Sequence, residues 1–95
     1  MTRSRGKKDA NQDDIVEQCR KVGMKVCIIS QFKGHEYDLD IGWKKKWIKF
    51  EVKNKHTDNF TEKEIKFEFD CNIKGLPYAA VTSFEEVLEV FNGML

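Results

Sequence analysis

An alternating pattern of apolar and charged residues over 37–53 constrains the fold of this chain more than any other feature. Successive side chains of a β-strand point to opposite faces, so this stretch divides into one apolar face and one charged face. The apolar face consists of Tyr37, Leu39, Ile41, Ile48, Phe50 and Val52. The segment Trp43-Lys44-Lys45-Lys46 between the two arms is typical of a turn, so the pattern predicts a β-hairpin.

The register of this hairpin decides which charged residues meet. Pairing of Gly42 with Trp47 leaves a four-residue loop and sets Asp38 opposite Glu51. The charged face then holds Asp38, Asp40, Lys49, Glu51 and Lys53. A slip of one residue would bury these charges and expose the apolar side chains, at about 1.5–3 kcal/mol each. We therefore expect a strongly fixed register.

The charged face of the hairpin is a candidate functional site. Two opposed carboxylates with an ammonium group beside them can hold a hard divalent cation and stabilise negative charge on a phosphate. The same residues are also typical of the exposed face of a half-solvated sheet. The hairpin alone leaves both interpretations open.

Length and composition indicate one small domain. The chain has 95 residues, of which 40% are hydrophobic and 35% charged, enough for a single modest core. No apolar run approaches the roughly 20 residues of a membrane-spanning helix, so we expect a cytoplasmic protein without a membrane partner. Cys19, Cys27 and Cys71 form no CxxC pair, and we expect them to be reduced.

Basic residues concentrate at two places, although the net charge is only +1. Residues 1–8 form a basic arm ahead of a single domain expected over 9–95, and a second group surrounds the hairpin turn and the exit of the hairpin. Such clusters are typical of nucleic-acid binding and equally of a solvated surface. The candidate DNA-binding residues are Arg3, Arg5, Lys7, Lys8, Lys44, Lys45, Lys46 and Lys55.

The segments before the hairpin predict a helix and a strand. Asp9 and Gln12 resemble a capping box, which indicates a helix over about 10–22. The β-branched and apolar residues of 24–30 then predict the first strand.

The segments after the hairpin predict a helix, a strand and a helix. Thr61 and Glu64 form a capping box for a helix over about 62–74. Its predicted apolar stripe is Ile65, Phe69 and Ile73. A short strand follows over 78–82, and Ser83 with Glu86 caps the last helix. The helix between the third and fourth strands permits a crossover to a parallel neighbour, so we expect a small mixed sheet flanked by helices.

Asp38 followed by Glu51-Val52-Lys53 resembles the motif of the PD-(D/E)XK nuclease superfamily, in which an acid also lies near the start of the first helix. The closer likeness is to its VRR-NUC group, small stand-alone nucleases that are frequent in phages. The likeness covers roughly residues 8–92. Beyond the motif it includes the segments 9–16, 60–64 and 81–87.

The resemblance implies both a fold and a chemistry. The fold would be an α/β restriction-endonuclease-like core with the element order αβββαβα. Asp38 and Glu51 would ligate Mg²⁺, with Mn²⁺ as a possible substitute and the main-chain carbonyl of Val52 as a third oxygen ligand. Lys53 would orient the attacking water or stabilise charge on the phosphate. The enzyme would be a homodimer that cleaves branched or junction DNA, in the host cytoplasm if a phage encodes it.

Four further residues are candidates for this site. Asp14 stands where the family has Glu, and it either reaches the metal as a catalytic residue or complements the helix dipole. Asp40 is either a ligand or the partner of Lys49. Glu64 stands where the family often has Gln, and a capping role and a role in the site both remain open. His35 is either solvated near the strand entry or close enough to help deprotonate water.

Three functional hypotheses follow. The leading hypothesis is a divalent-metal-dependent DNA endonuclease that acts on branched or junction DNA. A site-specific homing or nicking endonuclease is the alternative within the same class, and a non-catalytic DNA-binding module with the same fold is an alternative from another class. The presence of Asp38, Glu51 and Lys53 on one face favours an enzyme, because placing three charges together is costly without a function.

Overall fold

The computed structural model describes residues 11–93 of the chain. Its elements, in chain order, are α1 (Gln12–Lys21), β1 (Lys25–Ile28), β2 (Leu39–Trp43), β3 (Lys46–Val52), α2 (Glu62–Lys74), β4 (Tyr78–Val81) and α3 (Phe84–Gly93). The fold is α/β, with a small mixed sheet and flanking helices, which confirms the prediction at that level. No helix within residues 11–93 is long and apolar enough to cross a membrane.

The four strands of this sheet lie in the order β1-β2-β3-β4. The first three form an antiparallel meander, and β4 pairs parallel to β3 after the crossover through α2. Gly42 pairs with Trp47, and Asp40 pairs with Lys49, which is the register predicted from the apolar pattern. The hairpin is therefore positioned by its apolar face, as expected.

The turn of the hairpin is tighter than predicted. Trp43 pairs with Lys46, so Lys44 and Lys45 alone form the turn, with φ angles of 53° and 68°. Two-residue turns with positive φ match the twist of the flanking strands, which explains why the ladder continues one pair further. The expected four-residue loop is wrong, and the two left-handed lysines cost roughly 1–2 kcal/mol each.

The main core lies between one face of the sheet and the helices α1 and α3. The hairpin contributes side chains that are fully buried, and the helices cover them with an apolar stripe each. The central members of this core are Leu39, Ile41, Ile48, Phe50, Val52, Val81, Ile15, Cys19, Val87 and Phe91.

Tyr37 does not belong to this core face, although the alternating pattern placed it there. Its ring stacks on Phe67 of α2, with centroids 5.3 Å apart, and its hydroxyl donates to Asp40 Oδ2 at 2.8 Å. The regular ladder ends at Leu39, where the amide of Asp38 bonds to the carbonyl of Phe50. Strand alternation therefore does not extend to residue 37, and the prediction for Tyr37 is wrong.

Helix α2 covers the other face of the sheet, and its orientation differs from the prediction. Phe67 contacts Tyr37 and Tyr78, and Cys71 is buried, whereas the predicted stripe is turned to solvent. The residues of that exposed stripe are Ile65, Phe69 and Ile73. Glu64, Phe67 and Cys71 follow one another at helical spacing, so they share the side of α2 that faces the sheet. The polar anchor at Glu64, described below, orients the helix against its apolar periodicity.

Candidate active site

Asp38 lies just before β2, at the end of the sheet where β3 and β4 also end. Its side chain is nearly buried, and Oδ2 accepts a 2.8 Å hydrogen bond from the amide of Val52. Its main-chain carbonyl accepts the amides of Ile29 and Ser30. These bonds on both sides hold the carboxylate against the last residues of β3, so its position is determined by the fold.

Glu51 is the most deeply buried acid among residues 11–93, with 5% of its surface exposed. Burial, the charge of Asp38, and hydrogen bonds and repulsion involving Glu64 together raise the pKa of Glu51 well above its ordinary value. The carboxyl group of Glu51 therefore interacts with those of both Asp38 and Glu64, beside the end of β3 and the first turn of α2. Burial and repulsion therefore favour the protonated form of Glu51.

Lys53 follows β3 directly and is fixed on several sides. Its ammonium lies 2.9 Å from Glu64 Oε1, 3.2 Å from the carbonyl of Asn59 and 4.7 Å from the ring centre of Phe60. The side chains of Lys53 and Glu64 are only 13% and 19% exposed. The lysine is thus held beside the acidic cluster, as the register of the hairpin predicts.

Glu64 joins the site from the first turn of α2. Burial opposes its ionisation, but hydrogen bonds from the Thr61 amide at 2.8 Å and from Lys53 outweigh that effect and lower the pKa of Glu64. Thr61 in turn accepts the amide of Glu64, so the predicted capping box is confirmed. Capping and contact with the site are therefore combined in one side chain, whereas the sequence left them as alternatives.

Asn11 is a residue of the site that the sequence reasoning missed. Its Nδ2 donates to the carbonyl of Lys53 at 3.1 Å and to that of Thr82 at 2.6 Å, so it connects the ends of the parallel strands. Its Oδ1 is buried without a partner among the described residues. A signal was available, since Asn11 precedes Ile15 by four residues and so lies over the buried stripe of α1.

Gln12, beside Asn11, is also directed inward. It is 2% exposed and donates from Nε2 to Ser30 Oγ at 2.9 Å. Helix α1 begins at Gln12, with Asn11 as its N-cap residue, and Asp9 of the expected capping box lies outside the described residues. A polar residue in register with the apolar stripe of a helix was the signal that could have identified Gln12.

Tyr78 is a second residue that sequence reasoning missed. It pairs with Lys49 on the parallel strand, which places it on the same face of the sheet as Glu51. Its hydroxyl is buried without a hydrogen-bond partner among residues 11–93. Burial and the charge of Glu51 raise the pKa of Tyr78, so the hydroxyl is a neutral group. Only knowledge of the β3–β4 register could have identified it.

The other predicted candidates lie at varying distances from this cluster. His35 Nε2 is 3.9 Å from Asp38 Oδ1. Asp40 is bonded to Tyr37 and lies 3.9 Å from the ammonium of Lys49, which supports its role as a partner of that lysine. Asp14 is exposed and accepts a 2.7 Å bond from Gln18 on its own helix. Its proposed role in catalysis stays a prediction.

The predicted DNA-binding residues fall into two groups. Arg3, Arg5, Lys7 and Lys8 lie outside the described residues. Lys44 and Lys45 are exposed at the hairpin turn, Lys46 is half-buried beside them, and Lys55 is exposed in the loop after β3. Lys44 lies over the ring of Trp43, 4.5 Å from its centre. The turn therefore presents ammonium groups and an aromatic ring together.

The donor chemistry of the cluster suits a hard divalent cation with few protein ligands. Asp38 and Glu51 offer adjacent carboxylate oxygens. The raised pKa of Glu51 reflects burial first and then a repulsion from Asp38 that a nearby positive charge would relieve. Mg²⁺ is commonly held by one or two carboxylates and keeps several waters. Among the described residues, no group of three or more His, Cys, Asp and Glu side chains is arranged to hold a metal ion.

Comparison with known proteins gives no match: no family model, no curated protein and no solved structure is similar to the chain. Three features of the molecule itself bear on the chemistry of the site. These are the buried contact between Asp38 and Glu51, the fixed ammonium of Lys53 and the unpartnered hydroxyl of Tyr78 among residues 11–93.

Proposed function

We propose that this chain is a divalent-metal-dependent endonuclease that hydrolyses phosphodiester bonds in DNA. The observation that carries the proposal is the contact between the buried carboxyl groups of Asp38 and Glu51, with the ammonium of Lys53 beside them on the same strand end. A buried cluster of acids with a strongly perturbed pKa is typical of a functional site. The resemblance to the VRR-NUC group and its restriction-endonuclease-like core belongs to the same proposal.

In this proposal Asp38 and Glu51 hold Mg²⁺ or Mn²⁺, with the carbonyl of Val52 as a further oxygen ligand. When bound, the cation lowers the pKa of a coordinated water and offsets negative charge on the phosphate. The fold supports this arrangement, because Asp38 is bonded to the amide of Val52 and cannot move independently of β3. Glu51 would have to be ionised to act as a ligand, so binding of a cation would be favoured by higher pH.

Lys53 contributes a fixed positive charge at the scissile phosphate. Its bonds to Glu64 and to the carbonyl of Asn59 hold the ammonium in place before substrate arrives, so little ordering is needed at the moment of reaction. Asp14 remains a proposed fourth acid on the first helix.

Branched or junction DNA is the substrate that we propose. The lysines of the turn and of the loop after β3 offer charge without a surface large enough to read a long base sequence. A junction also presents two nearly equivalent strands, which suits two copies of one small enzyme related by a two-fold axis. The homing or nicking endonuclease and the non-catalytic DNA-binding module are the alternatives.

A cleavage assay separates these functions. Labelled four-way junction, flap, duplex and single-stranded DNA are incubated with the protein in Mg²⁺, in Mn²⁺ or in EDTA. We expect metal-dependent cleavage of the junction or flap, and a loss of about 100-fold or more in Glu51→Gln. Glu62→Gln is the matched control, because Glu62 is an exposed acid in the first turn of α2.

Three other outcomes of the cleavage assay would contradict the proposed function. Cleavage of one duplex sequence and of no junction would favour the homing enzyme. Binding of DNA without metal-dependent cleavage of any substrate would favour the non-catalytic module. Equal rates for Glu51→Gln and the unchanged chain would show that the acidic cluster is not the catalytic site.

A further inference from the structure

Helix α2 exposes a continuous apolar stripe to solvent. Ile65, Phe69 and Ile73 are 54%, 65% and 66% exposed, and they follow one another at intervals of four residues on one side of the helix. Leu76, just beyond the helix, is 47% exposed. Scattered exposed hydrophobic residues are ordinary on a protein surface, but an aligned set of this kind marks an interaction surface.

We infer that a second copy of this chain packs on this stripe, with the two α2 helices antiparallel across a two-fold axis near Phe69. Ile65 and Ile73 each lie four residues from Phe69, so the stripe is symmetric about its centre. Such an axis places Phe69 against its own counterpart and Ile65 of each copy against Ile73 of the other. A two-fold interface requires this kind of self-complementary surface.

The charges beside the stripe are complementary under the same symmetry. At about 100° per residue, Lys66 and Asp70 lie on the same flank of α2. In an antiparallel pair related by a two-fold axis, equal flanks face each other, so Lys66 of each copy lies beside Asp70 of the other. Both residues are exposed, and the existing contact of Asp70 with Lys74, at 3.1 Å, is made through Oδ2.

The local shape and charge favour a second copy over DNA or a lipid surface. An open groove of about 730 Å³ runs beside the stripe, lined by Ile65, Phe67 and Phe69, and it offers room for side chains of the partner. Charges of both signs line the same groove, as Glu62, Lys63, Lys66 and Asp70. A polyanion or an anionic membrane would instead require a predominantly basic rim.

This interface would join the two copies of the proposed enzyme, yet its test does not require cleavage. Sedimentation velocity of the full chain is measured from low to high micromolar concentration. We expect a reversible monomer–dimer equilibrium, because an interface built on one helix from each copy is small. A chain that remains monomeric throughout would overturn the inference, whether or not it cleaves DNA.

Single substitutions locate the interface. Phe69→Glu should raise the dimer dissociation constant by about 30-fold or more, because it buries a charge at the centre of the contact. Val22→Glu is the matched control, since Val22 is 48% exposed at the end of α1 on the other side of the sheet. Circular dichroism checks that both variants fold. Equal dimerisation of the two variants would place the interface elsewhere and refute the assignment.

A charge reversal tests the antiparallel geometry. Lys66→Glu should weaken the dimer by roughly 3- to 10-fold, because it sets two acids against each other. Adding Asp70→Lys should restore the dimer, since opposite charges would again face each other across the two-fold axis. Failure of the double variant to recover dimerisation would exclude this pairing of the helices.

Discussion

Glu51 holds its proton because burial, the charge of Asp38 and the interactions with Glu64 all act on one carboxyl group. Glu51 interacts with Asp38, Glu64 and Tyr78, while the ammonium of Lys53 is engaged by Glu64. Because the folded-state pKa of Glu51 is raised, the folded chain binds more protons than the unfolded chain above the ordinary pKa of a glutamate. The contribution of Glu51 to stability is therefore present at low pH and is lost as pH rises towards the folded-state pKa.

Glu51→Gln should remove this dependence in the metal-free protein. We expect the variant to be more stable than the unchanged chain by about 1 kcal/mol or more at about pH 8, with the difference shrinking towards about pH 5. Urea denaturation in EDTA from about pH 5 to about pH 8 measures the difference in the free energy of unfolding. Glu64 has a lowered pKa and contributes in the opposite direction, and it is present in both chains. A pH-independent difference would contradict the prediction.

Single residues were predictable from the sequence where strand alternation applies. Asp40, Lys49, Glu51 and Lys53 follow from the pattern of the hairpin, because one buried face determines the other. Asn11 and Tyr78 did not follow from it. Their roles depend on contacts with strand ends far away in the chain, and neither residue type alone indicates such a contact.

Among the elements, the hairpin turn departs most from ordinary backbone geometry. Lys44 and Lys45 both have positive φ, a conformation that Asn and Gly adopt at much lower cost. Their charge is in keeping with a surface that meets a polyanion, while their conformation reduces stability. The two lysines therefore add positive charge to the turn and lower the stability of the chain.

The double variant Lys44→Asn/Lys45→Gly should stabilise the chain by about 1 kcal/mol, because it relieves the left-handed strain of two residues. Lys44→Ala/Lys45→Ala is the control, since it removes the same charges, including the 3.3 Å contact of Lys44 with Asn92, and keeps the strain. Thermal denaturation compares the two variants. Equal or lower stability of the Asn-Gly variant would contradict the turn geometry.

Helix α2 shows where periodicity alone misleads. Its extent was predictable from the capping box and from Gly75, which takes the left-handed conformation at the end of the helix with a φ of 70°. Its orientation was not, because the apolar stripe suggested one face and the structure buries another. The bonds of Glu64 to Lys53 and the stacking of Phe67 on Tyr37 decide the orientation, and both are tertiary contacts.

At the scale of the molecule, residues 11–93 form a mixed sheet whose two faces are covered differently. One face of the sheet is closed by α1 and α3 over an apolar core, and the other carries α2 and the acidic cluster. The sequence predicted this architecture in outline, since a helix between the third and fourth strands permits a crossover to a parallel neighbour. The closing of the site by α1 and α2 depended on side-chain contacts that the pattern does not encode.

Divalent cations should stabilise the whole molecule if the proposed function is correct. Mn²⁺ or Mg²⁺ at about 100 times its dissociation constant should raise the free energy of unfolding by about 2.7 kcal/mol. A rise in melting temperature measures this stabilisation. The rise should be larger at about pH 8 than at about pH 6, because Glu51 must lose its proton. Asp38→Asn should abolish the rise, and the exposed Glu85→Gln should keep it. A rise that survives in Asp38→Asn would place the cation elsewhere.

The amide of Asn11 joins two carbonyls that are 42 and 71 residues away in the sequence. During synthesis on the ribosome, Asp38, Glu51 and Lys53 emerge well before Thr82. The amide can complete its bonds only after the last strand has left the exit tunnel and paired with β3. A nascent chain therefore carries Asp38, Glu51 and Lys53 before Asn11 can connect the ends of β3 and β4.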